Sequence, residues 1–175
     1  ETLIKTGKYK FICLGAAIKH EKYEPQGIAG EGWGEEDWVV YPIDGYGNPE
    51  MVRSAIWTHR PDILLFMTDP RFYGWLWEIE NEIRTKVPMI YYHVWDNYPY
   101  PKYNKKWYDS TDVIASISKV TYDIVSSVSP DVEGHYIPHA VNENVFRRLP
   151  EEKVKEFKDD HLGEGSKKII FFWNN

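Results

Sequence analysis

The sequence predicts an α/β protein with an open, mostly parallel sheet and helices on both faces. Short apolar runs that end at Gly, Asp, His or Ser alternate with longer amphipathic segments, a pattern typical of strands and crossover helices in a parallel sheet. The 175 residues are 42% hydrophobic, which is enough to bury a core and excludes general disorder. We therefore expect one domain, or one domain and the start of a second, around a sheet of five or six strands.

The strands and helices follow from the apolar runs and their boundaries. Pro49 suits the first turn of a helix, and Arg60-Pro61 marks the end of that helix. The predicted strands are 9–14, 38–43, 63–67, 89–92, 113–117 and 135–137. The predicted helices are 50–58, 75–86, 103–108, 119–128 and 151–161, and a further apolar run at 169–173 predicts a terminal strand.

One long connection, 16–37, interrupts this alternation. It carries four glycines among acidic residues and has no helical or strand periodicity. An aperiodic segment of this length inside a compact domain is usually a functional or mobile loop. Its Gly30–Gly34 stretch lacks the spacing of a dinucleotide-binding fingerprint, and the neighbouring carboxylates would repel a pyrophosphate. We therefore expect no phosphate cradle there.

Charge and composition exclude several classes of protein. The formal net charge is −6 and the basic residues are scattered, which disfavours binding to nucleic acid or to an anionic membrane surface. The single cysteine, Cys13, cannot form an internal disulfide and lies in an apolar strand, so we expect a core residue and a reducing compartment. Without a transmembrane or signal-like segment, a cytoplasmic location is predicted.

Polar and titratable side chains follow the predicted strands. In an open parallel sheet, ligands bind outside the carboxyl ends of the strands, so these residues indicate a binding edge. The residues at these ends are Asp44, Asp69 with Arg71, His93 with Asp96 and Asn97, Ser116 with Ser118, and His139 with Asn142.

His93 has two interpretations of nearly equal weight. It could donate a hydrogen bond to a sugar hydroxyl or phosphate, with Asp96 orienting it, or it could be a buried histidine satisfied by a backbone carbonyl. The Pro-rich segment 98–103 after it suits either a ring-lined loop over a cleft or a packed surface loop.

The sequence carries no convincing metal site. His135 and His139 are four residues apart, but Pro138 and the strand-like run between them exclude the helical geometry of a zinc pair. No Asp-x-Asp triplet is present to anchor a divalent cation on a nucleotide-sugar diphosphate. We therefore expect no cofactor.

Several segments between residues 61 and 142 resemble the N-terminal half of GT-B glycosyltransferases, most closely the retaining family 4 group. The segment 112–119, Asp-Val-Ile-Ala-Ser-Ile-Ser-Lys, is similar to that family's strand ending in Ser, and 136–146 is similar to its Ile-Pro-Asn-Gly-Val-Asp turn. His139-Ala140 replaces the family's Asn-Gly, and Asn142 its Asp. The segment 89–96 resembles the strand-His-Asp element, with the Asp displaced to position 96. The resemblance covers about two thirds of the chain.

The resemblance implies a Rossmann-like acceptor-side domain at 1–146, a linker with a charged helix at 147–166, and the first strand of a donor-binding domain at 167–175. The chain would then be a fragment, inactive alone, lacking the family's first strand and glycine-rich loop. The implied activity is transfer of a sugar from a nucleotide-sugar donor to a carbohydrate, lipid or protein hydroxyl, with retention and without an obligatory metal. The implied catalytic residue is His93. The implied acceptor-binding residues are Asp69, Arg71, Asp96, Asn97, Ser118, His139 and Asn142.

Two other classes of function remain open. The first is a non-catalytic flavodoxin-like or Rossmann-like domain that binds a small ligand or a protein at the same strand ends. The second is an acidic interaction domain, which predicts exposed aromatic rings grouped away from the strand ends.

Overall fold

The computed structural model describes residues 1–15, 24–165 and 167. Two compact units divide the chain, Glu1–Pro138 and His139–Asn175. The first unit contains all the described strands, and the second contains one described helix. The predicted domain boundary at 146 and the linker at 147–166 stay predictions.

Seven described strands form two hydrogen-bonded sheets. The strands are β1 Phe11–Gly15, β2 Gln26–Gly27, β3 Trp38–Pro42, β4 Leu64–Thr68, β5 Met89–His93, β6 Val113–Ser116 and β7 Glu133–Tyr136. A four-stranded, all-parallel sheet has the order β4-β5-β6-β7, and a three-stranded sheet has the order β1-β3-β2, in which β1 and β3 are parallel and β2 is antiparallel to β3. The predicted α/β class with a parallel sheet is therefore confirmed, although the strands form two sheets instead of one.

The helices of the first unit lie between the strands as predicted. In α1, Asn48 Oδ1 accepts a hydrogen bond from Met51 N and Pro49 occupies the first turn, which fixes where this helix begins. The predicted helix 75–86 is instead two short helices separated at Ile79, whose φ of −110° is not helical. Each short helix directs its own buried side chains to the core. The helices are α1 Pro49–His59, α2 Gly74–Glu78, α3 Glu80–Arg84, α4 Lys105–Asp109 and α5 Lys119–Val128.

Aromatic rings fill the core between these helices and one face of the four-stranded sheet. Phe66 stacks on Tyr91 at 4.9 Å, and Trp77 of α2 packs edge-on against both rings at 5.4 Å. Trp77 Nε1 donates to Thr111 Oγ1 at 3.1 Å, so the indole is held in one orientation. The helices therefore pack on the sheet face that carries Phe66 and Tyr91.

The opposite face of this sheet is more open. Along β5, buried and half-buried side chains alternate, as expected for a strand with one face in the core. On β4, Leu65 and Met67 point away from Phe66 and are more than half exposed. A helical cover over this second face stays a prediction.

The segment 16–37 is only partly described, because 16–23 lie outside the described residues. In the remainder, β2 pairs with β3, and Gly30 pairs with Trp33 in an isolated antiparallel bridge. Trp33 Nε1 donates to the Ile28 carbonyl at 2.8 Å. This part of the connection thus has local pairing, which the prediction of an aperiodic loop missed because β2 is only two residues long.

The second unit contains α6, Glu151–Leu162, close to the predicted 151–161. None of its described side chains, 139–165 and 167, is buried. The predicted terminal strand at 169–173 lies outside the described residues. Within the described parts of both units, no helix is both long and apolar enough to cross a membrane.

Candidate functional site

The carboxyl ends of the four parallel strands form one edge, which we call the strand-end row. Pairing between neighbouring strands places Thr68, His93, Ser116 and Tyr136 side by side in register. Side chains in register on parallel strands point to the same face, so His93 and Ser116 project toward the face that carries the core helices. This edge is where ligands bind in open α/β sheets.

His93 is fully buried at this edge, with an exposed fraction of 0%. Its Nε2 lies 2.7 Å from the hydroxyl of Tyr108 on α4, and Asn104 Nδ2 donates to the same hydroxyl at 3.2 Å. Because the Tyr108 oxygen already accepts from Asn104, its own proton is available for His93 Nε2, which favours the tautomer protonated at Nδ1. Among the described residues, His93 Nδ1 has no hydrogen-bond partner.

Burial keeps both members of this pair neutral. Loss of solvation lowers the pKa of His93 from 6.5 to about 3, although the Asp69 carboxylate acts in the opposite direction. Loss of solvation also raises the pKa of Tyr108 to about 12. At neutral pH, His93 can therefore donate or accept a hydrogen bond, but it supplies no positive charge.

Three further buried polar atoms near His93 have no hydrogen-bond partner within the described part of the chain. They are Ser116 Oγ, Trp95 Nε1 and Asn104 Oδ1. The Trp95 ring centroid lies 6.4 Å from that of His93, and Asn104 shares the Tyr108 hydroxyl with it. Buried polar groups are normally paired, so a cluster of unpaired ones marks a functional-site candidate.

Asp69 and Arg71 form a hydrogen-bonded ion pair directly after β4. Asp69 Oδ1 accepts from Arg71 N at 2.9 Å, and its two carboxylate oxygens accept from Arg71 Nε at 2.9 Å and Nη2 at 2.7 Å. The hydrogen bonds from Arg71 lower the pKa of Asp69, so the carboxylate is ionised and cancels the guanidinium charge.

The backbone just before this pair is strained. Thr68 has a φ of 130°, in the region that β-branched residues rarely adopt. Its carbonyl accepts a hydrogen bond from the Tyr91 hydroxyl, which helps to hold this conformation. Strained residues concentrate at binding and catalytic sites, which adds an independent pointer to this edge.

The loop after β5 brings exposed polar and aromatic groups to the same edge. Asp96 and Asn97 are exposed, whereas the ring of the preceding residue, Trp95, is buried. Tyr103 packs edge-on against Trp95 at 6.2 Å. These groups follow β5, whose last residue, His93, pairs with Thr68, the last residue of β4.

The other predicted site residues have separate places in the structure. Ser118 Oγ accepts from Thr121 N at 3.1 Å and so caps α5, a structural role that the sequence analysis did not assign. Asp44 is exposed in the turn after β3. His139 and Asn142 are exposed in the second unit, where Asn142 Oδ1 accepts from Asn144 N at 3.0 Å. Their part in the site stays a prediction.

Tyr108, the partner of His93, and Asn104, which donates to the Tyr108 hydroxyl, were not predicted from the sequence. Asn104 and Tyr108 are four residues apart within the predicted helix 103–108, so their position on one face of that helix could have been inferred. The contact of this helix face with His93 could not be inferred, because it depends on how α4 packs against β5.

Two other features of the first unit are less suited to a reaction. A groove of about 470 Å³ lies between α1 and the ends of β1 and β3, lined by residues that include Tyr41, Ser54 and His59. Cys13 in β1 is half-buried, and burial raises the pKa of its thiol, which disfavours the nucleophilic thiolate. Among residues 1–15, 24–165 and 167, no group of three or more His, Cys, Asp or Glu side chains is arranged to hold a metal ion.

The strand-end row, the Asp69–Arg71 pair and the loop after β5 thus combine a buried, neutral polar cluster with exposed polar and aromatic groups. Such a combination can orient a ligand rich in hydroxyl groups by hydrogen bonds and ring contacts. Comparisons with known proteins add no family to this description: no family model, no curated protein and no solved structure matches the chain.

Proposed function

We propose that the chain is the acceptor-side domain of a GT-B glycosyltransferase of the retaining family 4 type. In this proposal, a sugar passes from a nucleotide-sugar donor to an acceptor hydroxyl with retention of configuration and without an obligatory metal. The two segments that carry the sequence resemblance support it by their positions. Segment 112–119 contains β6 and the start of α5, and 136–146 follows β7.

The observation that carries the proposal is the strand-end row. His93 and Ser116 are in register on neighbouring parallel strands, and each has a buried polar atom without a partner in the described part of the chain. The strained Thr68 lies beside His93 in the same row. These features favour a binding edge over an ordinary sheet edge.

The proposed roles follow from exposure and charge. Asp96 and Asn97 are exposed and would hold acceptor hydroxyls, together with the Asp69–Arg71 pair. His93 would position a hydroxyl as a neutral hydrogen-bonding group, which requires its neighbours to move because its ring is covered. Ser118, His139 and Asn142 remain proposed contributors to the cleft. Such placement lowers the barrier mainly by orienting the acceptor oxygen.

The first experiment is to determine the coding sequence on both sides of the segment that encodes this chain. We expect it to encode a donor-binding domain, and we expect the whole gene product to release nucleoside diphosphate from a nucleotide sugar. An Asp69→Ala variant should turn over at least tenfold more slowly, because Arg71 loses its partner. Asp123→Ala, which removes an exposed carboxylate from α5, should leave turnover unchanged. Turnover by the 175-residue chain alone, or flanking sequence without a donor domain, would contradict the proposal.

A second candidate function is a non-catalytic domain that binds a ligand at the same edge. The burial of His93 favours it, because a ring that is 0% exposed and hydrogen-bonded to Tyr108 can stabilise the core without taking part in a reaction. Ligand binding by the whole gene product without turnover of any nucleotide sugar would favour this candidate.

A further inference from the structure

The hydrogen bonds of the Tyr108 hydroxyl form a short chain that ends on His93. Asn104 Nδ2 donates to the hydroxyl at 3.2 Å, and the hydroxyl oxygen lies 2.7 Å from His93 Nε2. All three side chains are completely buried. Within the described part of the chain, the hydroxyl has no other hydrogen-bond partner. The direction of these two bonds therefore decides which ring nitrogen of His93 carries the proton.

Packing holds the members of this chain in place. The His93 ring centroid lies 4.7 Å from that of Tyr91 and 5.0 Å from that of Tyr108, which meets it edge-on. Asn104 lies immediately before α4, and its backbone N–H donates to the Pro101 carbonyl at 2.8 Å. The imidazole, the phenol and the amide therefore keep one relative arrangement.

The two neutral forms of His93 leave different numbers of buried groups unpaired. With the proton on Nδ1, the Tyr108 hydroxyl donates to Nε2, and among the described residues only Nδ1–H lacks a partner in this chain of hydrogen-bonding atoms. With the proton on Nε2, that nitrogen donates to the Tyr108 oxygen, which already accepts from Asn104. Both the Tyr108 O–H and the Nδ1 lone pair then lack a partner within the described residues. Unpaired buried groups are costly, so the proton belongs on Nδ1.

We propose that Tyr108, oriented by Asn104, is a positioning residue that holds His93 as a hydrogen-bond donor at Nδ1. The Tyr108 proton occupies the Nε2 lone pair, so His93 has no free nitrogen with which to take a proton from a ligand. Ser116 lies beside His93 in register on β6, and its buried Oγ also has no partner in the described part of the chain. Of the two hydrogen-bonding roles open to a neutral histidine, only donation remains.

This assignment restricts what can meet His93. A ligand atom that approaches Nδ1–H has to be an acceptor, such as a hydroxyl or phosphate oxygen. Burial lowers the pKa of His93 to about 3, so the doubly protonated ring, which would donate through both nitrogens, is not populated at neutral pH.

The meaning of this donor for sugar transfer rests on the proposed function, but the position of the proton on His93 does not. If His93 is protonated on Nδ1 and the whole gene product transfers no sugar, the proposed function fails and the inference stands. If the whole gene product transfers sugar while His93 is protonated on Nε2, the inference fails and the proposed function stands.

The test is nitrogen-15 NMR of the histidine rings in the 175-residue chain at pH 7, because a ring nitrogen without a proton resonates far downfield of one that carries a proton. The signals that disappear in His93→Gln belong to His93. We expect the Nδ1–H form to exceed the Nε2–H form by at least about tenfold. In Tyr108→Phe, which keeps the ring and lacks the hydroxyl, this excess should fall at least about fivefold. Tyr103→Phe, which removes an exposed hydroxyl, is the matched control and should leave the ratio unchanged.

Three results would overturn the inference. They are a wild-type His93 protonated mainly on Nε2, a wild-type His93 protonated on both nitrogens, and a ratio of the two forms that Tyr108→Phe leaves unchanged. If circular dichroism shows that Tyr108→Phe does not fold, the signal of the Tyr108 hydroxyl proton in the wild type takes its place. Coupling of this proton to His93 Nε2 across the hydrogen bond supports the inference, and its absence overturns it.

Discussion

His93 illustrates how far one residue can be interpreted from sequence. Its position after an apolar strand predicted either a site residue or a buried, hydrogen-bonded histidine. The structure places it at the predicted strand end and buries it, and its partner is the Tyr108 hydroxyl instead of a backbone carbonyl. The strand end follows from hydrophobicity, whereas the partner depends on tertiary packing that local sequence does not encode.

Burial of His93 predicts a pH dependence of stability. The pKa of His93 is about 3 in the folded chain and 6.5 for the ordinary side chain, so between these values the unfolded chain binds more protons. The uncharged, buried His93 therefore contributes fully to the free energy of unfolding above pH 6.5. This contribution is lost as the pH falls toward 3. We expect a loss of roughly 2 kcal/mol between pH 7 and pH 5.

Urea unfolding at several pH values checks this expectation. The difference in unfolding free energy between the wild type and His93→Gln should shrink as the pH falls, because the variant lacks the titrating ring. A difference that stays constant from pH 7 to pH 5 would show that His93 titrates normally in the folded chain.

The Tyr108 hydroxyl should be important for stability because it serves both His93 and Asn104. Tyr108→Phe leaves these two buried groups without that partner, and we expect a loss of about 1–3 kcal/mol in unfolding free energy. Tyr103→Phe removes a hydroxyl from an exposed ring and should change it by less than about 0.5 kcal/mol. Equal effects of the two substitutions in chemical denaturation would refute the assigned hydrogen bonds.

At the scale of the elements, apolar runs located the central strands β4, β5 and β6 well because each of them buries side chains in the core. Helix α5 matched its predicted bounds, 119–128, since its amphipathic pattern and its Ser118 cap agree. The prediction failed for two elements whose form depends on their length or on tertiary packing. Strand β2 has only two residues, and the helix predicted at 75–86 breaks at Ile79. Neither feature produces a periodic signal in the sequence.

The Ser118 cap predicts a specific pattern of substitutions. Ser118→Ala should lower the unfolding free energy by about 1 kcal/mol, because Thr121 N loses its acceptor, while Ser118→Asp should retain most of it. Ser126→Ala, on the exposed side of the same helix, is the control and should have little effect. If Ser118 also contacts the acceptor, as proposed, Ser118→Asp should weaken transfer by the whole gene product despite normal stability.

At the scale of the whole molecule, the α/β class and the positions of the strand ends could be predicted because both depend on the order of apolar runs along the chain. The ring-rich loop 98–103 could be recognised in the sequence, but the packing of Tyr103 against the buried Trp95 depends on tertiary structure.

Amide chemical-shift mapping of the isotopically labelled chain, titrated with nucleotide sugars and with neutral oligosaccharides, tests the central claim most directly. The claim is that ligands bind at the carboxyl edge of the four-stranded sheet. We predict that the shifted amides cluster at 69–72 and 96–103. Shifts confined to the groove beside α1, or no shifts with any of these ligands, would contradict it.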